Sequence, residues 1–220
     1  SELLRKIDPD VIITQSHCSV CAVSIEDVKK CLESAIANAE LEGQKLSPEF
    51  LDGSWLLIIF AGNDTTRNTL SGAIKLLTEN PDQKQKLIEN PELMPNFLQE
   101  CIRMVSPVIH MRRTTTCETE LGGQLMGPGE KIVMWYGAAN RDPSIFTNPD
   151  KFDIERENAD KHLAFGIGRH TCVGKPVALM QLEESYKQIL SRFPNIHMSG
   201  NWKVAPNNFV HAIQEMPVKF

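Results

Sequence analysis

From Ser47 onward the chain alternates between long stretches of helical apolar spacing and short polar breaks marked by glycine or proline. Ser47-Pro48-Glu49-Phe50 reads as a helix start, because a serine oxygen caps free amides and proline at the first helical position sacrifices no hydrogen bond. The helix it opens is predicted to run to about Asn80, interrupted by Gly53, Gly62 and Gly72. Over residues 51–61 the apolar side chains surround the helix, which predicts burial on most sides. The charged Asp64 directly after that stretch is therefore unusual. Pro81 ends this helix and starts a shorter one through Ile88. A further helix is expected over residues 94–105, stopped by Ser106-Pro107. Upstream, Val28, Leu32, Ala35, Ile36 and Ala39 have helical spacing and predict a helix over residues 25–41 that Gly43 stops. Residues 1–24 show no clear period.

After Pro107 the pattern changes to alternation. Residues 108–116, 118–121 and 131–135 read as strands, with Gly122-Gly123 and Gly127-Pro128-Gly129 as turns. Residues 140–161 are rich in Asp, Asn and Pro and predict a long ordered loop. Residues 174–193 form an amphipathic helical pattern, and residues 195–220 read as short strands with a turn near Pro206-Asn207. No repeat and no flexible linker divides the chain. The expected fold class is mainly α with a minor β part.

The 220 residues suffice for one sizeable core or two small ones. A net charge of −5, without a basic cluster interleaved with aromatics, argues against a nucleic-acid partner. Six cysteines at irregular spacing do not make a disulfide framework. The start is charged and lacks a signal-peptide apolar core, and the longest apolar run, residues 55–61, is too short for a transmembrane segment. The expected localisation is cytoplasmic.

Three constellations carry chemistry. Phe165-Gly166-Ile167-Gly168-Arg169-His170-Thr171-Cys172-Val173-Gly174 sets one cysteine in a glycine-rich loop between basic residues and a helix start. Cations and a helix N-terminus both lower a thiol pKa, so a thiolate metal ligand is one reading and a structural cysteine beside a turn the other. In Ala61-Gly62-Asn63-Asp64-Thr65-Thr66, threonine oxygens can bond back to the preceding turn where Gly62 weakens the helix. That predicts a local opening with room for a small ligand, against the plainer reading of an exposed polar patch. Glu100 and Arg103, three residues apart, share one helix face and can pair, as many solvated pairs do. Cys18 and Cys21 form a CxxC with no second ligand pair at zinc spacing, so no metal site is expected there. Cys31, Cys101 and Cys117 read as core or surface residues.

The cysteine loop resembles the haem-binding loop of the cytochrome P-450 superfamily, and the other two constellations occur in that superfamily's order. The resemblance covers most of the chain, from about Leu41 to Phe220, and corresponds to the family's C-terminal half. It implies the C-terminal haem-thiolate part of a P-450 domain over residues 25–220, with residues 1–24 unassigned. It implies haem b (iron protoporphyrin IX) as cofactor and Cys172 as thiolate ligand of the haem iron. Phe165, Gly166, Gly174, Ala61 and Gly62 would line the haem, and Arg113 and His170 would bind its propionates. Arg112 and Arg169 are weaker candidates for that role and equally readable as surface charges. Asp64 and Thr65 would relay protons during oxygen activation. Glu100, Arg103 and Arg156 would form a structural triad holding the loop ahead of the cysteine. Val108, Ile109, His110 and Phe209 would face the substrate.

The closer resemblance is to bacterial members that hydroxylate terminal methyl groups of alkanes and fatty acids. It is carried by residues 62–70, His110-Met111-Arg112-Arg113-Thr114, Val133-Met134-Trp135-Tyr136 and Asn208-Phe209-Val210. Steroid and terpenoid hydroxylases share several of these. The implied reaction is monooxygenation of a hydrophobic substrate with O2, with ferredoxin and ferredoxin reductase as electron donors. Lys175, Lys187 and Arg192 could dock an acidic carrier, although a solvated helix face explains them equally. Met180 departs from the family, where an arginine often stands, and Pro176 lies just inside the helix after the cysteine. The helices of the first half are missing, so a non-catalytic haem-binding fragment and a non-haem cysteine protein remain alternatives.

Overall fold

The structure is a computed structural model that describes residues 38–41 and 43–220. In chain order its helices are α1 (Pro48–Glu79), α2 (Pro81–Glu89), α3 (Met94–Val105), α4 (Tyr136–Ala139) and α5 (Lys175–Arg192). The strands are β1 (Glu40–Leu41), β2 (Gln44–Lys45), β3 (His110–Thr114), β4 (Thr119–Leu121), β5 (Gln124–Met126), β6 (Lys131–Trp135), β7 (His197–Met198), β8 (Lys203–Ala205), β9 (Ala212–Glu215) and β10 (Val218–Lys219). The strands pair two by two, all antiparallel: β1 with β2, β3 with β6, β4 with β5, β8 with β9 and β7 with β10. The architecture is mainly helical with small sheets, as the sequence pattern implies.

The chain divides into two compact units, and α1 and α5 each run through the division. The first unit, Ser1–Arg67 with Val173–Gln188, holds the β1–β2 hairpin and the larger parts of both helices. The side-chain oxygen of Ser47 accepts the Phe50 amide at 3.3 Å, the expected cap ahead of Pro48. Two expectations fail in this unit. Helix α1 is unbroken through Gly53 and Gly62, because a glycine lowers helix propensity without removing the amide that the ladder needs. The apolar middle of α1 is exposed rather than buried, with Leu56 at 71% and Ile59 at 62%. A helix apolar on every side needs neighbours on every side, and the described residues do not supply them. The predicted helix over residues 25–41 lies outside the described residues except at its end. There Glu40–Leu41 pairs as a strand across Gly43, whose φ of +77° makes the turn.

The second unit, Asn68–Cys172 with Ile189–Phe220, contains α2, α3 and the remaining sheets. Helix α3 buries Phe97, Leu98, Cys101 and Ile102, one stripe at helical spacing, and Phe97 meets Phe152 edge-on at 6.4 Å. Ser106 caps its C-terminus in the left-handed region, φ +44°, so the chain turns before Pro107. Gly72 admits the close approach of α3 to α1, since a Cβ there would sit 2.6 Å from the Cγ2 of Val105. Gly72→Ala is expected to cost about 1–2 kcal/mol despite its better helix propensity, because a β-branched neighbour cannot yield; urea unfolding measures it.

Besides β2, strand β5 and helix α4, three and four residues long, are not expected from the sequence pattern. The long loop after α4 is ordered as expected, and Phe146, Phe152 and Ile154 are buried within it.

Candidate functional site

The densest polar structure of the second unit is built on α3. Glu100 and Arg103 are fully buried, and Arg156 nearly so. Glu100 accepts from Arg103 through both carboxylate oxygens, at 2.7 and 2.8 Å, in the bidentate geometry that a guanidinium favours. The Arg156 Nε and the Asp153 amide also donate to it, each at 3.1 Å. The two arginines then reach the loop backbone. Arg103 donates to the carbonyls of Asn140 and Pro149 at 2.7 Å each, and Arg156 to that of Thr147 at 2.7 Å. A solvated surface pair is thereby excluded: this is a charged clamp on residues 140–156.

From the clamp a series of hydrogen bonds leads to the cysteine loop. The Asn140 Nδ2 donates to the Ser106 hydroxyl at 2.8 Å, and its Oδ1 accepts the Leu163 amide at 2.6 Å. His162 Nδ1 accepts from the Ala164 amide at 3.2 Å, so the proton sits on Nε2 and is donated to Gln99 at 3.1 Å. The Leu163 carbonyl accepts the Gly166 amide at 2.8 Å, and the Phe165 carbonyl accepts the Cys172 amide at 2.8 Å. The loop closes on itself at that bond, with Gly166 and Gly168 at φ +69° and +71°. A Cβ on Gly166 would stand 3.3 Å from the His170 carbonyl, so both conformation and space reserve the position for glycine. Asn140, Ser106, Gln99 and His162 received no role from the sequence. Asn140-Arg141-Asp142-Pro143 and His162-Leu163-Ala164-Phe165 added to the family resemblance and Ser106 marked a helix end, but side-chain partners 23 to 63 residues away leave no local pattern that shows these bonds.

Cys172 is exposed, as are Arg169, His170, Arg112 and Arg113. Arg113 meets only the Arg112 carbonyl, at 3.0 Å, and has no carboxylate partner among the described residues. Val108, Ile109, His110 and Phe209 come together. The Ile109 amide donates to the Phe209 carbonyl at 2.8 Å, Val108 bridges to Val210, and the His110 ring lies 6.4 Å from that of Phe209 and 4.9 Å from that of Trp135. In the first unit, Thr65 bonds back to the Ala61 carbonyl at 2.8 Å and Asp64 pairs with Arg67 at 3.0 Å. The threonine back-bond forms as expected, yet the helix stays continuous, because such a bond adds to the ladder without breaking it. Ala61 is exposed, and Gly62 and Gly174 are half-buried. The CxxC lies outside the described residues.

The residues of the second unit fit a haem. An accessible thiol stands in a rigid glycine loop whose closing bond orients it, and Arg113 offers an uncommitted fork for a carboxylate. No group of three or more His, Cys, Asp or Glu able to hold a metal ion occurs among the described residues, so a bare polydentate metal centre is not built there. The buried cysteine of the unit behaves differently. Burial, aided by the Glu100 carboxylate, holds the Cys101 thiol well above its ordinary pKa. Alkylation of the native protein is therefore expected to modify Cys172 and Cys117 and to leave Cys101 intact, read by peptide mass spectrometry.

Comparisons with known proteins give the family. The family model for cytochrome P450 matches residues 11–217. Linalool 8-monooxygenase of Pseudomonas putida is 37% identical over 187 residues, covering 85% of this chain and 46% of that protein. Steroid C26-monooxygenase of Mycobacterium tuberculosis is 38% identical over 192 residues, 86% of this chain and 51% of the relative. Among solved structures, cytochrome P450-153 from Novosphingobium aromaticivorans superposes with a TM-score of 0.80 at 42% identity, over 86% of this chain and 47% of that one. The chain thus spans about half the length of the relatives it matches, and it covers only part of the fold. Haem b is the cofactor of these enzymes. No helix among the described residues is long and apolar enough to cross a membrane. With a clamped cysteine loop, a matching backbone and a family match over nearly its whole length, the chain belongs to the cytochrome P450 family.

Proposed function

We propose that this chain is the haem-thiolate part of a monooxygenase that converts a C–H bond of a hydrophobic substrate to C–OH. One oxygen atom of O2 enters the product and the other leaves as water, with two electrons from a ferredoxin and its reductase and two protons. Haem b, when bound, supplies oxygen activation. The chain's own residues supply the rest. The Cys172 thiolate ligates the iron and is held in place by the Cys172–Phe165 backbone bond, the single observation that carries the reading. Arg113 and His170 bind the propionates. Asp64 and Thr65 move protons: the carboxylate takes a proton from outside and the hydroxyl passes one inward. Val108, Ile109 and Phe209 present an apolar wall that excludes water and holds a hydrocarbon.

The substrate proposed is an alkane or fatty acid hydroxylated at its terminal methyl group. The local likeness in residues 62–70, 110–114, 133–136 and 208–210 supports it. A steroid or terpenoid substrate is the second reading, favoured by the relatives named for linalool and a steroid. Turnover of dodecanoic acid against linalool, after haem loading and with ferredoxin and reductase, separates them; a chain that takes up haem and turns over neither is the binding fragment. Thr65→Ala is expected to leave haem binding intact and to lower the fraction of electrons recovered as product by about tenfold, less than the ~10²–10⁴-fold a proton-transfer group contributes, because water can partly stand in for the hydroxyl. Product formation that stays fully coupled would remove Thr65 from the relay.

A further inference from the structure

Asn68 is out of place by every local rule. It sits inside helix α1, where asparagine is a poor helix former, and it is 1% exposed. Its Nδ2 has no partner among the described residues, a cost that an apolar side chain at this position would not carry. Its Oδ1, however, accepts the amide of Ile213 at 3.2 Å, from a residue 145 positions away. Ile213 lies in β9, opposite Val204, beside the irregularity in register between Lys203 and Val204. An irregularity of this kind bends the hairpin locally, and a contact from outside the ladder beside the bend helps to set its depth.

The turn of that hairpin carries Phe209. Asn207 shapes it by accepting the amides of Phe209 and Val210 through Oδ1, at 2.8 and 3.4 Å. Phe209 then accepts from Ile109, and His211 donates to the Pro107 carbonyl at 3.0 Å. The hairpin is therefore attached at its tip, through Phe209 and His211, to residues 107–109 and, about 7 Å beyond His211 at ordinary strand rise, to Asn68. The tip contacts hold Phe209 beside His110, and the Asn68 contact sets how the rest of the hairpin meets them.

We propose that Asn68 is a positioning residue that sets the depth of the β8–β9 hairpin, and through it the placement of Phe209, and so selects which carbon of a chain-like substrate is presented. The selectivity part rests on the monooxygenase reading. The positioning part is independent of it.

The test compares Asn68→Leu with Asn68→Asp, which keeps an acceptor oxygen. Amide hydrogen exchange in the full chain is expected to accelerate about tenfold at Ile213, Ile109 and His211 together in Asn68→Leu and to recover in Asn68→Asp, with the Gly166 amide unchanged. If Asn68→Leu fails to fold, Asn68→Ser, too short to reach Ile213, carries the same comparison. In the haem-loaded protein the ratio of terminal to subterminal hydroxydodecanoate is expected to change roughly threefold in the leucine variant and to return in the aspartate variant. Exchange that rises at Ile213 alone, or nowhere, overturns the proposal, as does an unchanged product ratio in a chain that turns over dodecanoate. A chain that takes up no haem defeats the monooxygenase reading instead, and the exchange pattern then decides the positioning role by itself.

Discussion

Glu100→Ala is expected to remove about 3–5 kcal/mol of stability, because it leaves two buried guanidinium groups without an anion. Arg103 is fully buried and Arg156 only 7% exposed, so neither can turn to water once the carboxylate is gone. Glu100 also holds the Asp153 amide, so the loss reaches the backbone of the loop as well. Arg103→Lys is expected to fail nearly as badly, since one ammonium cannot replace a bidentate fork that also reaches the Asn140 and Pro149 carbonyls. The Lys86–Glu155 pair provides the contrast. Both partners are substantially exposed, and Lys86→Ala is expected to change stability by less than about 1 kcal/mol. Urea unfolding of the three variants checks the ranking, and equal costs for Glu100→Ala and Lys86→Ala would show that the clamp holds nothing.

Cys172→Ser is expected to do the reverse: leave stability within about 0.5 kcal/mol and abolish the spectroscopic signature of thiolate ligation. The side chain is exposed, and the loop is closed by the backbone amide that serine retains. A hydroxyl ionises far less readily than a thiol, so the strong anionic donor disappears while the pocket survives. Cys101→Ser controls for a general effect of the substitution. That site is fully buried among Phe97, Leu98 and Ile102, and a hydroxyl placed there is expected to cost about 1–3 kcal/mol without touching the haem spectrum.

The sequence made the long helices legible, and several short strands with them, but not every short element. Ser47-Pro48 located the start of α1, and Ser106-Pro107 the end of α3, because caps and prolines act through local backbone geometry. The extent of α3 was equally plain. Burial of residues 51–61 was misjudged because periodicity reports what a helix needs and not what surrounds it. At the site, Cys172 stood out through its glycines and neighbouring cations, all within ten residues. Glu100 and Arg103 alone looked like any surface pair; resemblance to a family, rather than spacing, singled them out. Asn140, His162 and Asn68 act through partners 23, 63 and 145 residues away, and no single-sequence pattern encodes such distances.

The ferrous–carbon monoxide spectrum of the haem-loaded chain tests most directly whether Cys172 is a haem ligand. A strongly red-shifted Soret band in the native chain, absent from Cys172→Ser, is the expected result. The same band position in both proteins, or no haem uptake at neutral pH, would contradict it.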